Sequence, residues 1–343
     1  MTQDWPSFLA QQGLAEDGGD FGDLAGELAT ARAGAVFAPL VDQGLIRVSG
    51  SDAAEFLHNL MTNDVKGLNE HYSRFSGLCS AKGRLLGLFL IWRDREDFLL
   101  MLPQEVLPAI LKKLSMYVLR AKVKLSDATR DYPLVGLAGA SLPQFGENLD
   151  VERFGLIAFQ GGRAIRLDGT RWLIALDSAT APTFWPGLEK KARPVGLAAW
   201  NWLEIVAGRP QVVTATQEAF VPQMLNMELP AVAGVSFTKG CYPGQEIVAR
   251  TQYLGKVKRR TFRARLGVDV APGTHVFATG TGDQHCGAIV SVAPSPGGGF
   301  ECLVCVQISA QEAGDVRVSS PDGERLEFLS LPYSVKDDEP APA

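Results

Sequence analysis

No stretch of the sequence approaches the run of about 18 apolar residues that a membrane-spanning helix requires, which excludes a helical membrane protein. No basic stretch precedes an apolar one near the start, and the first cation is Arg32. Neither a secretory leader nor an Arg-rich transit peptide is expected, which predicts a cytoplasmic location. Cysteine is sparse: five residues, at 79, 241, 286, 302 and 305, are an odd number without the spacing of a disulfide scaffold, so reduced thiols are expected. Only four histidines occur, none at His-x₃-His spacing, so zinc and haem have no support and no metal site is assigned. Net charge is also low, at −5 over 343 residues, which speaks against a dedicated nucleic-acid binder.

What is present suits an ordinary globular protein, with 46% hydrophobic and 21% charged residues. Single cores stop growing at roughly 250 to 300 residues, so two or three domains are expected. The small net charge conceals an uneven distribution. Lys239 to Arg265 carries eight cations against one anion, Glu246, a balance of +7 that leaves −12 for the remainder.

The first thirty residues are acidic and rich in glycine, and are expected to form a loosely ordered arm over residues 1–33. Beyond it, Gly44 to Val48 reads as a strand. Asp52 to Met61 reads as a helix, with Asp52 and Glu55 at capping-box spacing. Three strands follow near Phe75–Ser80, Leu85–Trp92 and Phe98–Leu102, then a helix around Val106–Leu114 and a strand at Lys122–Leu125. Strand, helix, three strands, helix, strand is a ferredoxin-like α+β unit with an added strand, assigned to residues 34–130. A similar order recurs over 131–246: a strand at Leu134–Leu137, a polar stretch around Gln144–Asn148, three strands, and helices over Ala181–Lys191 and Val195–Val206. After Lys256, six short strands separated by Gly, Pro and Asp turns predict a small antiparallel β-barrel over 247–334, followed by a polar tail, 335–343.

Lys239-Gly240-Cys241-Tyr242-Pro243-Gly244-Gln245-Glu246 is the most unusual stretch. Two glycines and a proline in eight residues disfavour a helix or long strand and favour a tight loop displaying its side chains. Cys241 beside Lys239 lies in a positive field that favours thiolate. The alternative is a free cysteine acting as a small hydrophobe in a structural turn. Cys302 and Cys305 form a Cys-x-x-Cys, but a spacing of three on a strand sends the two thiols to opposite faces, and they are expected to be structural, as are Cys79 and Cys286.

These residues resemble a known family. The 239–246 segment is similar to the signature of the YgfZ proteins, folate-binding relatives of the glycine-cleavage T-protein (aminomethyltransferase). Ser49 to Leu57 with Thr62-Asn63-Asp64, Leu203 to Pro210, and Tyr253 to Arg259 resemble further stretches of that superfamily, in the same order. The resemblance implies an α+β fold: a three-domain ring of ferredoxin-like units around a central folate pocket, with the C-terminal antiparallel barrel. It implies tetrahydrofolate or a one-carbon derivative as cofactor. Glu204 would hold the pterin, and Lys239, Tyr242, Gln245, Arg250 and Lys258 are further cofactor-binding candidates. A carboxylate suits the pterin because it accepts two parallel hydrogen bonds.

The sequence departs from working T-proteins where their Gly-Gly-Ile-Leu-Asp-Asp stretch should stand. Here Gly83 to Leu88 puts Gly87 and Leu88 in place of the carboxylates. A positioned acid–base group is worth about 10²- to 10⁴-fold in rate, so ordinary aminomethyl transfer is not expected. The resemblance points instead to iron–sulfur cluster assembly or repair, with Cys241 as reactive group, iron–sulfur proteins or their assembly machinery as partners, and tRNA modification supported indirectly. A folate-dependent transferase in which another group replaces the aspartate is the alternative.

Overall fold

The computed structural model describes residues 4–143, 149–253, 255, 257–282 and 284–335. The polar stretch around Gln144–Asn148, Lys256, and the tail from Lys336 lie outside the described residues. No helix among the described residues is long and apolar enough to cross a membrane.

Two helices, α1 (Trp5–Gln11) and α2 (Leu24–Ala33), precede the short strand β1 (Val36–Pro39). The expectation of a loosely ordered acidic arm is therefore corrected. Its acids act as clamps: the fully buried Glu27 accepts the N–H groups of Phe21 (2.6 Å) and Gly196 (2.8 Å), and Asp23 caps α2 and pairs with Arg193 at 2.7 Å. Its aromatics supply the adhesion, since Trp5, Phe8 and Phe21 all pack on the buried Trp185, as does Phe37 of β1. Counting glycines and charges missed this because the apolar residues of the arm show no helical period of their own.

The first α+β unit follows: β2 (Gln43–Ser49), α3 (Ala53–His58), β3 (Ser73–Cys79), β4 (Leu85–Asp94), β5 (Asp97–Pro103), α4 (Leu107–Val118) and β6 (Lys124–Asp127). This is the expected element order, and the sheet runs β3-β4-β5-β2-β6. The helix α3 is shorter than expected, and the capping box is absent. Asp52 instead accepts the N–H of Lys122 at 2.7 Å, fastening the helix start to the chain entering β6.

The second unit comprises β7 (Leu134–Ala138), β8 (Leu156–Phe159), β9 (Gly162–Arg166), β10 (Arg171–Leu176), α5 (Ala181–Glu189) and β11 (Arg193–Pro194), leading into α6 (Leu197–Val206). Its sheet runs β8-β9-β10-β7-β1-β11, the order of the first sheet with β1 inserted before the last strand. Val36–Pro39 thus belongs to the second sheet although it precedes the first unit in sequence.

After a helix α7 (Gln245–Tyr253), six antiparallel strands form the third sheet: β12 (Arg259–Leu266), β13 (His275–Ala278), β14 (His285–Pro294), β15 (Phe300–Gln307), β16 (Val316–Val318) and β17 (Glu327–Leu329). A short helix, α8 (Ile308–Ala313), which the strand pattern hid, lies between β15 and β16. The sheet is a half-barrel. Its far edge is linked where Leu326, just before β17, donates its N–H to Val316 of β16 at 2.8 Å. His285 and Cys286 open β14.

Period-two alternation explains why the central strands read as continuous apolar runs. Leu88, Leu90 and Trp92 of β4 face one core, while Phe89 and Ile91 face another beneath α3 and α4. On β10, Leu173 and Ala175 join the same first core, and Trp172, Ile174 and Leu176 pack under α1 and α5. That first core also receives Val290, Leu303 and Cys305 from the third sheet, so all three sheets share it. Cys302 faces the separate interior of the half-barrel, as the spacing of three predicted.

Truncating Trp185 to Ala is expected to cost about 3–5 kcal/mol and release the N-terminal helices, because four aromatic rings lose their partner at once. Denaturant unfolding and limited proteolysis within the first 34 residues would read this. A loss under about 1 kcal/mol with unchanged proteolysis would contradict the packing described.

Candidate functional site

The signature loop is held from both sides. Gly83 (φ +69°) and Gly244 (φ +79°) approach so closely that a Cβ on Gly244 would stand 2.6 Å from the Gly83 Cα and 2.4 Å from the Ser80 carbonyl. Both conformations favour glycine, and the approach leaves no room for another residue. The Ala81-Lys82-Gly83 turn thereby fixes the end of the loop, where α7 begins with Gln245. The loop proper is Lys239–Gly244, shorter than the eight residues read from sequence.

On the other side the Thr62-Asn63-Asp64 segment ties the chain entering the loop. Thr62 Oγ1 donates to the Gly234 carbonyl (2.7 Å), Asn63 Nδ2 to that of Ala233 (2.8 Å), and the Ser236 N–H to the Thr62 carbonyl (3.0 Å). Two motifs some 170 residues apart thus form one backbone platform.

On that platform Lys239 turns inward. Its Nζ donates to the His58 carbonyl and, at 2.6 Å, to the Met61 carbonyl, and lies 5.0 Å from the Tyr242 ring centroid. Burial pushes the ammonium down to about 8, against the opposing pull of Asp64 and Cys241. His58 Nδ1 lies 3.0 Å from Asp64 Oδ1. Its Nε2 faces the loop, 3.8 Å from where a Cβ on Gly240 would stand. Burial and the neighbouring Lys239 lower the imidazole pKa, favouring the neutral ring. Tyr242 is buried, and burial holds its phenol well above the ordinary value.

Cys241 is exposed; the other four cysteines are buried. Burial pushes the thiols of Cys79, Cys302 and Cys305 up to about 12. A thiol in solvent on a fixed loop, beside a cation and a carboxylate-held imidazole, can act on a group brought to the surface by another molecule.

Glu204 occupies a different place. On α6, it is 9% exposed, with Oε1 at 2.8 Å from Arg171 Nη1 and Oε2 at 3.2 Å from Arg209 Nε. Arg171 also binds Asp168 at 2.7 Å. The carboxylate borders a cavity of about 30 Å³ whose walls include Gln43, Phe75, Leu88, Met101 and Arg209. Leu88 and Glu204 thus border the same cavity. Burial pushes Asp42, next to Gln43, up to about 6, and the fields of Glu204 and Glu105 add to it.

The structure thus brings Lys239, Cys241 and Tyr242 together and sets Gln245 and Arg250 on α7, while none of these lines the cavity that Glu204 borders. Lys258 is exposed and lines another cavity, bordered by Thr251, Arg259, Gln307 and Ser309, which shares no residue with the Glu204 cavity. His58, Asp64, Arg171, Arg209 and Asp42 were not singled out from sequence, although Asp64 and Arg209 lay in motifs.

Comparison with known proteins gives a consistent picture. The model of the GCVT N-terminal domain matches residues 19–167. The chain is 35% identical to the tRNA-modifying protein YgfZ of Colwellia psychrerythraea, over 65% of this chain and 69% of that protein. It is 31% identical to the protein of the same name from Vibrio atlanticus, over 64% of this chain and 66% of that one. In structure it resembles the glycine cleavage system aminomethyltransferase T of Bartonella henselae, with a TM-score of 0.74 at 19% identity, covering 97% of this chain and 98% of the other.

One fast equivalent of thiol is expected to react with a disulfide reagent in the native protein, five in denaturant, and no fast equivalent in Cys241→Ser. Two or more fast equivalents in the native protein would contradict the burial of the other four. Lys239 should titrate with a midpoint near 8, charged below and neutral above, against about 10.4 for a lysine free in water. A ¹³C NMR titration of labelled lysines reads this directly, and a spectrum in which every lysine titrates above 10 would refute it.

Proposed function

The chain belongs to the YgfZ family, and from that premise we propose that it is a cytoplasmic tetrahydrofolate-binding protein supporting iron–sulfur cluster assembly or repair, and through it tRNA modification. The observation that carries the reading is the combination of an exposed Cys241 on a rigid loop with Leu88 facing Glu204 where a catalytic carboxylate would be needed. In this reading Cys241 is the reactive group and its partners are iron–sulfur proteins or their assembly machinery. One thiolate does not hold a cluster alone, so the client or carrier supplies the remaining ligands. The three units enclose the folate as a ring.

The residues around Glu204 suit a pterin chemically. Each carboxylate oxygen keeps lone pairs beyond the one its arginine uses, and Arg209 Nη1 is buried with no partner, a donor in want of an acceptor. Phe75, Leu88, Leu90 and Met101 offer apolar walls for a flat ring. The cavity as it stands holds about one water, so a bicyclic ring requires flexible side chains such as Met101 and Gln211 to give way. A bound folate would supply one-carbon chemistry; this chain's part is to bind and orient it, Glu204 by accepting from the ring and Arg209 by donating to it. Lys239, Tyr242, Gln245, Arg250 and Lys258 remain candidates for the rest of the molecule, with Lys239, Arg250 and Lys258 offering charge to its glutamate tail.

One observation favours a second reading, a folate-dependent aminomethyltransferase-like enzyme. Asp42 places a carboxyl with a pKa of about 6 within the field of Glu204, a group able to exchange a proton near neutrality.

Cys241→Ala is expected to leave tetrahydrofolate affinity within about twofold while abolishing rescue of iron–sulfur enzyme activity and tRNA modification in a strain lacking the protein. Full rescue by the variant would overturn the proposal. Steady turnover of methylene-tetrahydrofolate with an amine donor by the purified protein would move the assignment to the transferase.

A further inference from the structure

Many cations of this protein are answered by carboxylates: Arg171 and Arg209 by Glu204, Arg260 by Glu228 at 2.6 Å, Arg263 by Glu301 at 2.6 Å, and Arg265 by Glu327 at 3.9 Å. Arg166 and Lys191 have no ion pair among the described residues. They line one cavity of about 590 Å³ on the second unit, walled by the chain after β7, the turn between β9 and β10, and Trp172 of β10. No carboxylate lines it. Arg166 gives one N–H to the Gly169 carbonyl and stands 4.6 Å from the Trp172 ring centroid, which fixes the guanidinium and leaves its other N–H groups for a ligand. Lys191 Nζ donates to Ser141 Oγ at 2.9 Å, so the Ser141 hydroxyl has its own proton to offer in turn. Trp172 is 2% exposed, and its indole N–H is buried with no hydrogen-bond partner. The turn carrying these groups is stiff, because Asp168 accepts the N–H groups of Thr170 and Arg171, each at 3.1 Å.

Donors therefore outnumber acceptors in this recess, and a buried donor without a partner calls for an acceptor. What the wall lacks is negative charge spread over several oxygens. Two unpaired cations match the charge of a phosphate monoester at pH 7, roughly −1.5 to −2, better than the single charge of a carboxylate. A nucleic-acid backbone fits less well, since each of its phosphates is a singly charged diester flanked by two sugars, whereas these donors come from separate segments around one recess. The cavity is also far larger than a phosphoryl group, and Ala140, Leu142 and Leu149 give apolar wall to the remainder of a molecule. We propose that this cavity binds a small phosphate monoester, with Arg166, Lys191 and the Trp172 indole N–H on the phosphoryl oxygens. It shares no residue with the Glu204 cavity, and neither Cys241 nor folate takes part.

The test is NMR of the full-length protein carrying ¹⁵N in its six tryptophans, titrated with phenyl phosphate. One indole N–H, identified by its loss in W172F, is expected to move downfield and saturate. The double variant R166Q/K191Q changes only the rim of the cavity, so it should keep the native spectrum and bind about tenfold more weakly. Benzoate, with a similar ring and less charge, should also bind about tenfold more weakly than phenyl phosphate. A phosphate monoester takes up its second proton near pH 6, so affinity should fall between pH 7.5 and pH 5. No saturable shift of any indole up to about 10 mM phenyl phosphate would overturn the proposal. Unchanged affinity in the double variant, or equal affinity for benzoate, would overturn it as well. Inorganic phosphate binding as tightly as phenyl phosphate would assign the recess to free phosphate and overturn the ester. None of these failures touches the reading of Cys241 or of Glu204.

Discussion

Glu204 lies between two arginines with little water to screen it, and much of the interior is arranged around that carboxylate. Arg171 reaches it from β10, Arg209 from the turn after α6, and Asp168 holds the far side of Arg171. Arg209 also lies 5.9 Å from the Phe75 ring of β3, so the network joins the first unit to the second. Buried pairs contribute little net stability over apolar packing, but removing one member strands the other at a cost of about 3–5 kcal/mol. The network therefore acts less as glue than as a constraint on position. Despite its burial, Arg171 is held above its usual pKa by Glu204 and Asp168, so its charge is fixed at every physiological pH. A second clamp works alike: Asp94, at the end of β4, accepts from the Tyr132 hydroxyl at 2.5 Å and pairs with Arg163 of β9.

Much of this fold was legible in sequence because it is written in short periods. The strands of both α+β units and of the half-barrel alternate or run apolar between turn residues, and α4 and α6 carry their faces at helical spacing. The acidic arm was not legible, because its order comes from Trp185 and from Gly196, which binds Glu27 from 169 residues away in sequence. Nor was the place of Val36–Pro39 in the second sheet. Pairing across distant segments leaves no local trace.

The site divides along the same line. Cys241 announced itself through the glycines and proline around it, and Glu204 through its motif. The partners from distant segments did not: Arg171 stands 33 residues before Glu204 on another element, and His58 meets Lys239 across 181. The basic segment shows the limit most plainly. A count of +7 is right as arithmetic, yet three of its arginines are neutralised by glutamates that the count assigned to the acidic remainder.

Leu88 and Cys241 stand in opposite electrostatic surroundings. An ionised acid at Leu88 would face Glu204 across a cavity no larger than a water, raising the desolvation and repulsion that already lift Asp42. Leucine there removes a second negative charge and joins the core shared by all three sheets. The one solvent-exposed thiol instead sits on a loop that Gly83, Gly244 and the Thr62-Asn63-Asp64 segment hold rigid. A thiol so placed is open to molecules too large to enter the cavity beside Glu204.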